Sequence, residues 1–161
     1  TALLLCLVFV LHGCDNDRIA QTEEGFTTES EVIAKWGPPE NVWINAQGER
    51  VLEYNRQPEG TANYMITVGA DGKVVSLRNA LTRQNFAQIQ PGMMMEDVRK
   101  LLGRPAKTVP YALKKETVFE WRWREGTGGA PFRRFIVTAD SDWKVKSTAD
   151  VEEPSKSEGK R

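Results

Sequence analysis

Ile89-Gln90-Pro91-Gly92-Met93-Met94-Met95-Glu96-Asp97-Val98-Arg99-Lys100-Leu101-Leu102-Gly103-Arg104-Pro105 carries the signals of a short amphipathic helix with a defined stop. Met94, Val98, Leu101 and Leu102 fall on one face at helical spacing, which predicts an apolar stripe. Gly103 is the residue type that ends a helix in a left-handed conformation, and Pro105 cannot continue one. Thr82-Arg83-Gln84-Asn85-Phe86-Ala87 predicts a turn or short helix just before it. The run Met93-Met94-Met95 reads either as an adaptable binding patch or as core filling, and the place of Met94 on the stripe favours the core.

The same pattern occurs earlier in the chain. Val32, Gly37 and Pro39 recur as Val98, Gly103 and Pro105, each pair 66 residues apart. Outward from these, Gly25 matches Gly92, Glu29 matches Glu96, Val42 matches Val109, and Val51-Leu52-Glu53-Tyr54 matches Val118-Phe119-Glu120-Trp121. Further on, Ile66 matches Ile136, Lys73-Val74 matches Lys144-Val145 and Ser76 matches Ser147. An ordered series with small drifts in spacing is what a duplicated unit with short loop insertions leaves behind. The first copy has its own helix, with Thr28 and Glu31 forming a capping box, Val32, Ile33 and Trp36 as the stripe, and Gly37-Pro38-Pro39 as the stop.

Strand signals follow each helix. Residues 50–55, 63–68 and 73–78 are β-rich and separated by Pro58-Glu59-Gly60 and Ala70-Asp71-Gly72. Residues 117–123, 132–138 and 143–148 repeat the arrangement. The predicted fold is therefore α+β, with tandem helix-and-β-meander units, helices packed on one face of antiparallel sheets; the helix-helix-β-meander form of each unit is what the family resemblance given below implies. Phe119, Trp121 and Trp123 share one side of their strand, either beneath the helices or as an aromatic docking row. Val118, Glu120 and Arg122 share the other. If helices cover one face, Glu53, Glu120 and Arg122 lie on the opposite face, which meets water or a protein partner. The expected division is 1–13 leader, 14–17 linker, 18–80 first repeat, 82–150 second repeat and 151–161 disordered polar tail.

Composition limits the chemistry. The chain of 161 residues has 22 basic and 22 acidic side chains, interleaved throughout, so it lacks the basic excess that marks a nucleic-acid binder. Thr1 to Leu11 carries no charge, and at 11 residues it is shorter than the roughly 20 needed to span a bilayer as a helix. It matches the apolar core of a secretory signal that lacks its start. From Cys14 onward there is no His and no other Cys. Ser-His-Asp and Cys-His nucleophiles, thiol redox chemistry and His/Cys metal sites are excluded for want of parts. Gly126-Thr127-Gly128-Gly129 lacks the Lys and following helix of a phosphate loop. The expectation is a protein that is not an enzyme and needs no cofactor or metal.

Two resemblances extend this reading. Leu11-His12-Gly13-Cys14 resembles a bacterial lipobox, which implies acylation of Cys14, a mature chain beginning there, and anchoring in the bacterial cell envelope facing the periplasm. Asp15, with Asn16 beside it, resembles an inner-membrane retention signal. Residues 89–105 resemble the signature of the SmpA/OmlA, or BamE-like, lipoprotein domain, with Met94 where a capping Thr or Ser is usual. That substitution costs the helix about 1 kcal/mol. The resemblance implies a helix-helix-three-strand unit, an outer-membrane location, contact with subunits of the outer-membrane β-barrel assembly machinery, and phosphatidylglycerol as a lipid partner. Two copies in one chain also resemble the tandem β-lactamase inhibitor proteins. That implies instead a module binding or inhibiting a periplasmic enzyme.

Overall fold

The structure, a computed structural model, describes residues 15–126 and 128–154. The leader 1–13, Cys14 and the last part of the expected tail, 155–161, lie outside these residues. The chain is α+β, with two four-stranded antiparallel sheets and few helices. Helices α1 (Asp15–Ala20) and α2 (Glu29–Trp36) precede strands β1 (Asn41–Ile44), β2 (Arg50–Asn55), β3 (Asn63–Val68) and β4 (Val74–Asn79). Helices α3 (Arg83–Phe86) and α4 (Met95–Leu102) precede β5 (Lys107–Tyr111), β6 (Glu116–Trp123), β7 (Arg133–Ala139) and β8 (Val145–Glu152). Within each sheet the strands lie in chain order.

The expectation of three strands per unit is corrected to four. The unanticipated strands β1 and β5 are edge strands, and edge strands have only one neighbour to satisfy. β1 is only 4 residues long, and β5 contains Pro110, a residue confined to sheet edges because it cannot donate to a ladder. The expected linker 14–17 is corrected as well. Asp15 and Asp17 stand in the first turn of α1, where carboxylates complement the helix dipole. The expected tail also starts too early. β8 runs through Val151 and Glu152, and the Glu153 N–H donates to the Phe132 carbonyl at 2.8 Å.

Each sheet has its own core. Val32 and Trp36 of α2 cluster with Leu52, Tyr54, Ile66, Val68 and Val74. Met95, Val98 and Leu102 of α4 cluster with Phe119, Trp121, Trp123, Phe135, Val137 and Val145, together with Phe86 of α3. Burying a large apolar side chain contributes about 1.5–3 kcal/mol, so these clusters dominate the stability of both halves. Phe119, Trp121 and Trp123 are thus core residues rather than a docking row.

Equivalent hydrogen bonds recur in the two halves. The Tyr54 hydroxyl donates to the Gly37 carbonyl at 2.9 Å, and the Trp121 indole donates to the Gly103 carbonyl at 3.0 Å. Each helix start is closed by the tip of a hairpin: Glu29 N–H donates to Gly72 O, and Met95 N–H to Trp143 O. Burial, followed by the negative charge of Glu29, pushes the Tyr54 phenol up from 10.0 to about 12. A phenol whose folded pKa is raised stabilises the fold below the unfolded pKa and loses that contribution as pH rises through the folded one. Tyrosinate absorbance during alkaline titration is expected to show the Tyr54 phenol ionising near pH 12, with loss of stability between there and about pH 10. Tyr54→Phe should remove that late step.

Candidate functional site

Glu53 stands in mid-strand on β2 and is completely buried. Its side chain points away from Leu52 and Tyr54, as strand alternation requires, and what covers it is the other half of the same chain. One carboxylate oxygen accepts from the Arg104 N–H at 2.9 Å, from Arg99 Nη1 at 3.2 Å and from Asn55 Nδ2 at 2.7 Å. The other accepts from the Trp43 indole at 2.7 Å. Asn63 Nδ2 donates to the carbonyls of Leu102 and Arg104 at 2.8 and 2.9 Å. The Gly103-Arg104-Pro105 stop of α4 is therefore seated in a socket of β2 and β3 side chains. The expectation that Glu53 faces water or an external partner is corrected: its partner is internal.

Gln57 makes the second link between the halves. Its side chain is buried and pairs in both directions with the backbone of Arg122, donating to O at 2.7 Å and accepting from N at 2.9 Å. β5 pairs with β6 only as far as Glu120, so the Gln57 amide satisfies backbone groups that a longer β5 would have met. The socket works in one direction. The residue of the first half corresponding to Arg104 is Pro38, which has no N–H to donate.

Glu120 and Arg122 are also occupied. Glu120 pairs with Arg134 at 3.3 Å and Arg122 with Glu153 at 3.0 Å, all four side chains only partly exposed. These two residues share a strand face, as the alternation predicts, but they are separated from Glu53, which lies in the junction. Asp15 is likewise engaged, accepting from Arg56 Nε and Nη2 at 2.7 and 2.9 Å and from Arg18 at 3.1 Å. Burial opposes its ionisation, but the hydrogen bonds and charges of Arg56 and then Arg18 outweigh this and hold the carboxyl below its usual range. Asn16 follows it in α1.

The open apolar surface lies where the halves meet. A groove of about 540 Å³ is lined by Trp43 from β1, by Met94, Met95, Glu96 and Arg99 around the start of α4, and by Pro105, Thr108, Phe119 and Trp143. Trp143 is 54% exposed and Met94 41% exposed. The Trp143 ring lies 6.1 Å from that of Phe119. The expectation for Met94 is reversed. It is the N-cap of α4, outside the helix, and Met95 takes the buried position.

Two residues in this groove violate the local rules that the first half obeys. Where Thr28 caps α2 through its hydroxyl, Met94 gives α4 no side-chain cap, a loss of about 1 kcal/mol. Where Gly72 takes a positive φ of 77° at the β3–β4 turn, Trp143 takes φ 59° at the corresponding turn, a conformation costing a side-chain-bearing residue about 1–2 kcal/mol. Their backbones adjoin, since Met94 and Lys144 form an antiparallel bridge. Departures from local rules of this kind cluster at functional sites. Sequence reading overlooked Trp43, Arg99 and Trp143. The register aligning Lys73 with Lys144 sets Gly72 against Trp143, so the mismatch was readable.

Among the described residues no cluster of three or more His, Cys, Asp or Glu could hold a metal ion. No described helix is long and apolar enough to cross a membrane. No family model and no curated protein matches the chain, so the SmpA/OmlA resemblance rests on the motif alone. Two solved structures are similar to it. One is a DUF4309 family protein, YjgB, from Bacillus subtilis, with 17% identity over 83% of each chain and a TM-score of 0.30. The other is a candidate β-lactamase inhibitor protein from Streptococcus mutans, with 12% identity over 84% of this chain and 93% of that one and a TM-score of 0.31.

Proposed function

We propose that the chain is a duplicated, non-enzymatic binding module of the bacterial envelope that captures a protein partner in the groove at the junction of its two halves. The observation that carries this reading is the joint cost at Met94 and Trp143, which leaves two large apolar side chains exposed in one groove. The module-or-inhibitor reading is preferred here to the barrel-assembly scaffold. A groove walled by both halves needs them held as one block, and the Glu53 socket and the Gln57 link do that. Acylation of Cys14, which would tether the module at the membrane beside α1, belongs to the same proposal. The outer membrane is the proposed location, with phosphatidylglycerol a lipid contact through the anchor.

A photocrosslinking residue placed at Trp143 or Trp43 in the full-length protein, expressed in its own envelope, is expected to give a discrete protein adduct. The same residue at Val75 or Leu113, both exposed and outside the groove, should give none. Adducts from the control positions alone would overturn the proposal. Intact-mass measurement of membrane-extracted protein checks the anchor. Loss of the leader and an acyl adduct on Cys14 are expected, and Cys14→Ala should release the protein from the membrane.

A further inference from the structure

The side-chain N–H donors left around the groove bear on the chemistry of its occupant. Glu96 is held by Lys100 at 2.6 Å, so the one carboxylate lining the groove is already paired. Arg99 lines the groove but uses only Nη1, toward Glu53, and its remaining N–H groups have no acceptor among the described residues. Lys144 is exposed and faces Met94 across their bridge, and its ammonium has no ion partner among the described residues. Asp140, whose carboxylate accepts the N–H groups of Asp142 and Lys144, lines a different cleft with Pro110 and Tyr111. The groove thus offers an apolar aromatic floor with spare Arg99 N–H groups in its wall and the exposed Lys144 beside Trp143.

Resting on the protein-binding reading above, we infer that the groove takes an extended segment of another protein in which an aromatic side chain is flanked by carboxylates. The aromatic anchor fills the space between Trp43, Met94 and Trp143, and a flanking carboxylate reaches the free donors of Arg99 and the ammonium of Lys144. Buried aromatic anchors supply most of the energy of such contacts, and the rim charges supply selection and rate of encounter. Met94 suits this role because an unbranched thioether adapts to the ring it meets. An acyl chain fits the groove less well. The floor lies open to solvent, and the donors call for an anion beside the apolar anchor rather than beyond the end of a long chain.

The test uses the full chain with capped hexapeptide probes that alternate Glu with Phe, Lys with Phe, or Glu with Ala, with binding followed by titration calorimetry. The Glu-Phe probe should bind at least about tenfold more tightly than either of the others. Lys144→Glu should weaken it about tenfold, and added salt should weaken it further. Met94→Thr combined with Trp143→Gly restores the cap and the glycine of the first half. This double variant is expected to raise the thermal midpoint by several degrees while abolishing Glu-Phe binding, an outcome misfolding cannot mimic. Equal binding of the Lys-Phe probe, unchanged binding by the double variant, or preference for phosphatidylglycerol vesicles over the peptide would each overturn the inference. Crosslinked protein adducts at Trp143 without Glu-Phe selectivity would overturn the occupant's chemistry while leaving the protein-binding reading standing.

Discussion

Replacing Glu53 with Ala is expected to destabilise the protein by about 3–5 kcal/mol, because it strips the shared acceptor from a buried ion pair and hydrogen-bond network. Four donors converge on this carboxylate: the Arg104 N–H, Arg99, Asn55 and the Trp43 indole. Without it they are left facing one another where water has poor access. Glu53→Gln keeps the volume but turns one acceptor into a fifth donor, so it should recover little. The effect is also one of cooperativity. The socket couples two separate apolar cores, so chemical denaturation of Glu53→Ala should show a broadened or split transition where the parent shows one. The groove should suffer with it, since the indole of Trp43 is aimed by the same carboxylate. A loss under about 1 kcal/mol with a single sharp transition would show that the halves do not depend on this junction.

The glycines that end the two long helices give the second prediction, with its own control. Gly37 and Gly103 have nearly the same positive φ, 84° and 76°. With ψ of −176° and −167°, both lie in a positive-φ extended region that essentially only glycine adopts, so an added side chain at either costs about 1–3 kcal/mol. At Gly37 a new Cβ meets nothing within 4 Å. At Gly103 it would come within 2.6 Å of Asn55 Oδ1, 3.0 Å of Asn63 Nδ2 and 3.2 Å of Glu53 Oε1. Those side chains have little freedom to move aside, because each is bonded to the backbone around Gly103. Overpacking adds about 1–3 kcal/mol, so Gly103→Ala should cost roughly 2–6 kcal/mol in all, against about 1–3 for Gly37→Ala. Equal losses in urea denaturation would mean that the stop of α4 is not seated in the first half.

Much of the local structure was legible because it depends on near neighbours in the chain. The capping box of Thr28 and Glu31, the glycine stops, and β2 and β3 with their stated bounds all follow from side chains acting on their own backbone or from strand alternation. Edge strands β1 and β5 escaped because their pairing comes from one neighbour, and four or five residues carry little periodic signal. Position within a pattern also misled at Met94, where a shift of one residue in the helix start exchanged its role with that of Met95.

By itself, the sequence determined that this chain repeats a helix-and-sheet pattern and that, beyond Cys14, it lacks the His and Cys of common catalytic and metal sites. It also determined that Glu53 lies on the strand face opposite Leu52 and Tyr54. Only the tertiary structure decided what Glu53 meets. Alternation selects a face but carries no information on what packs over it, and the covering loop at Gly103 lies 50 residues further along the chain. The groove arose in the same way. Trp43 and Trp143 are distant in sequence and follow no shared period, and they meet in one groove because the socket holds the two halves against each other.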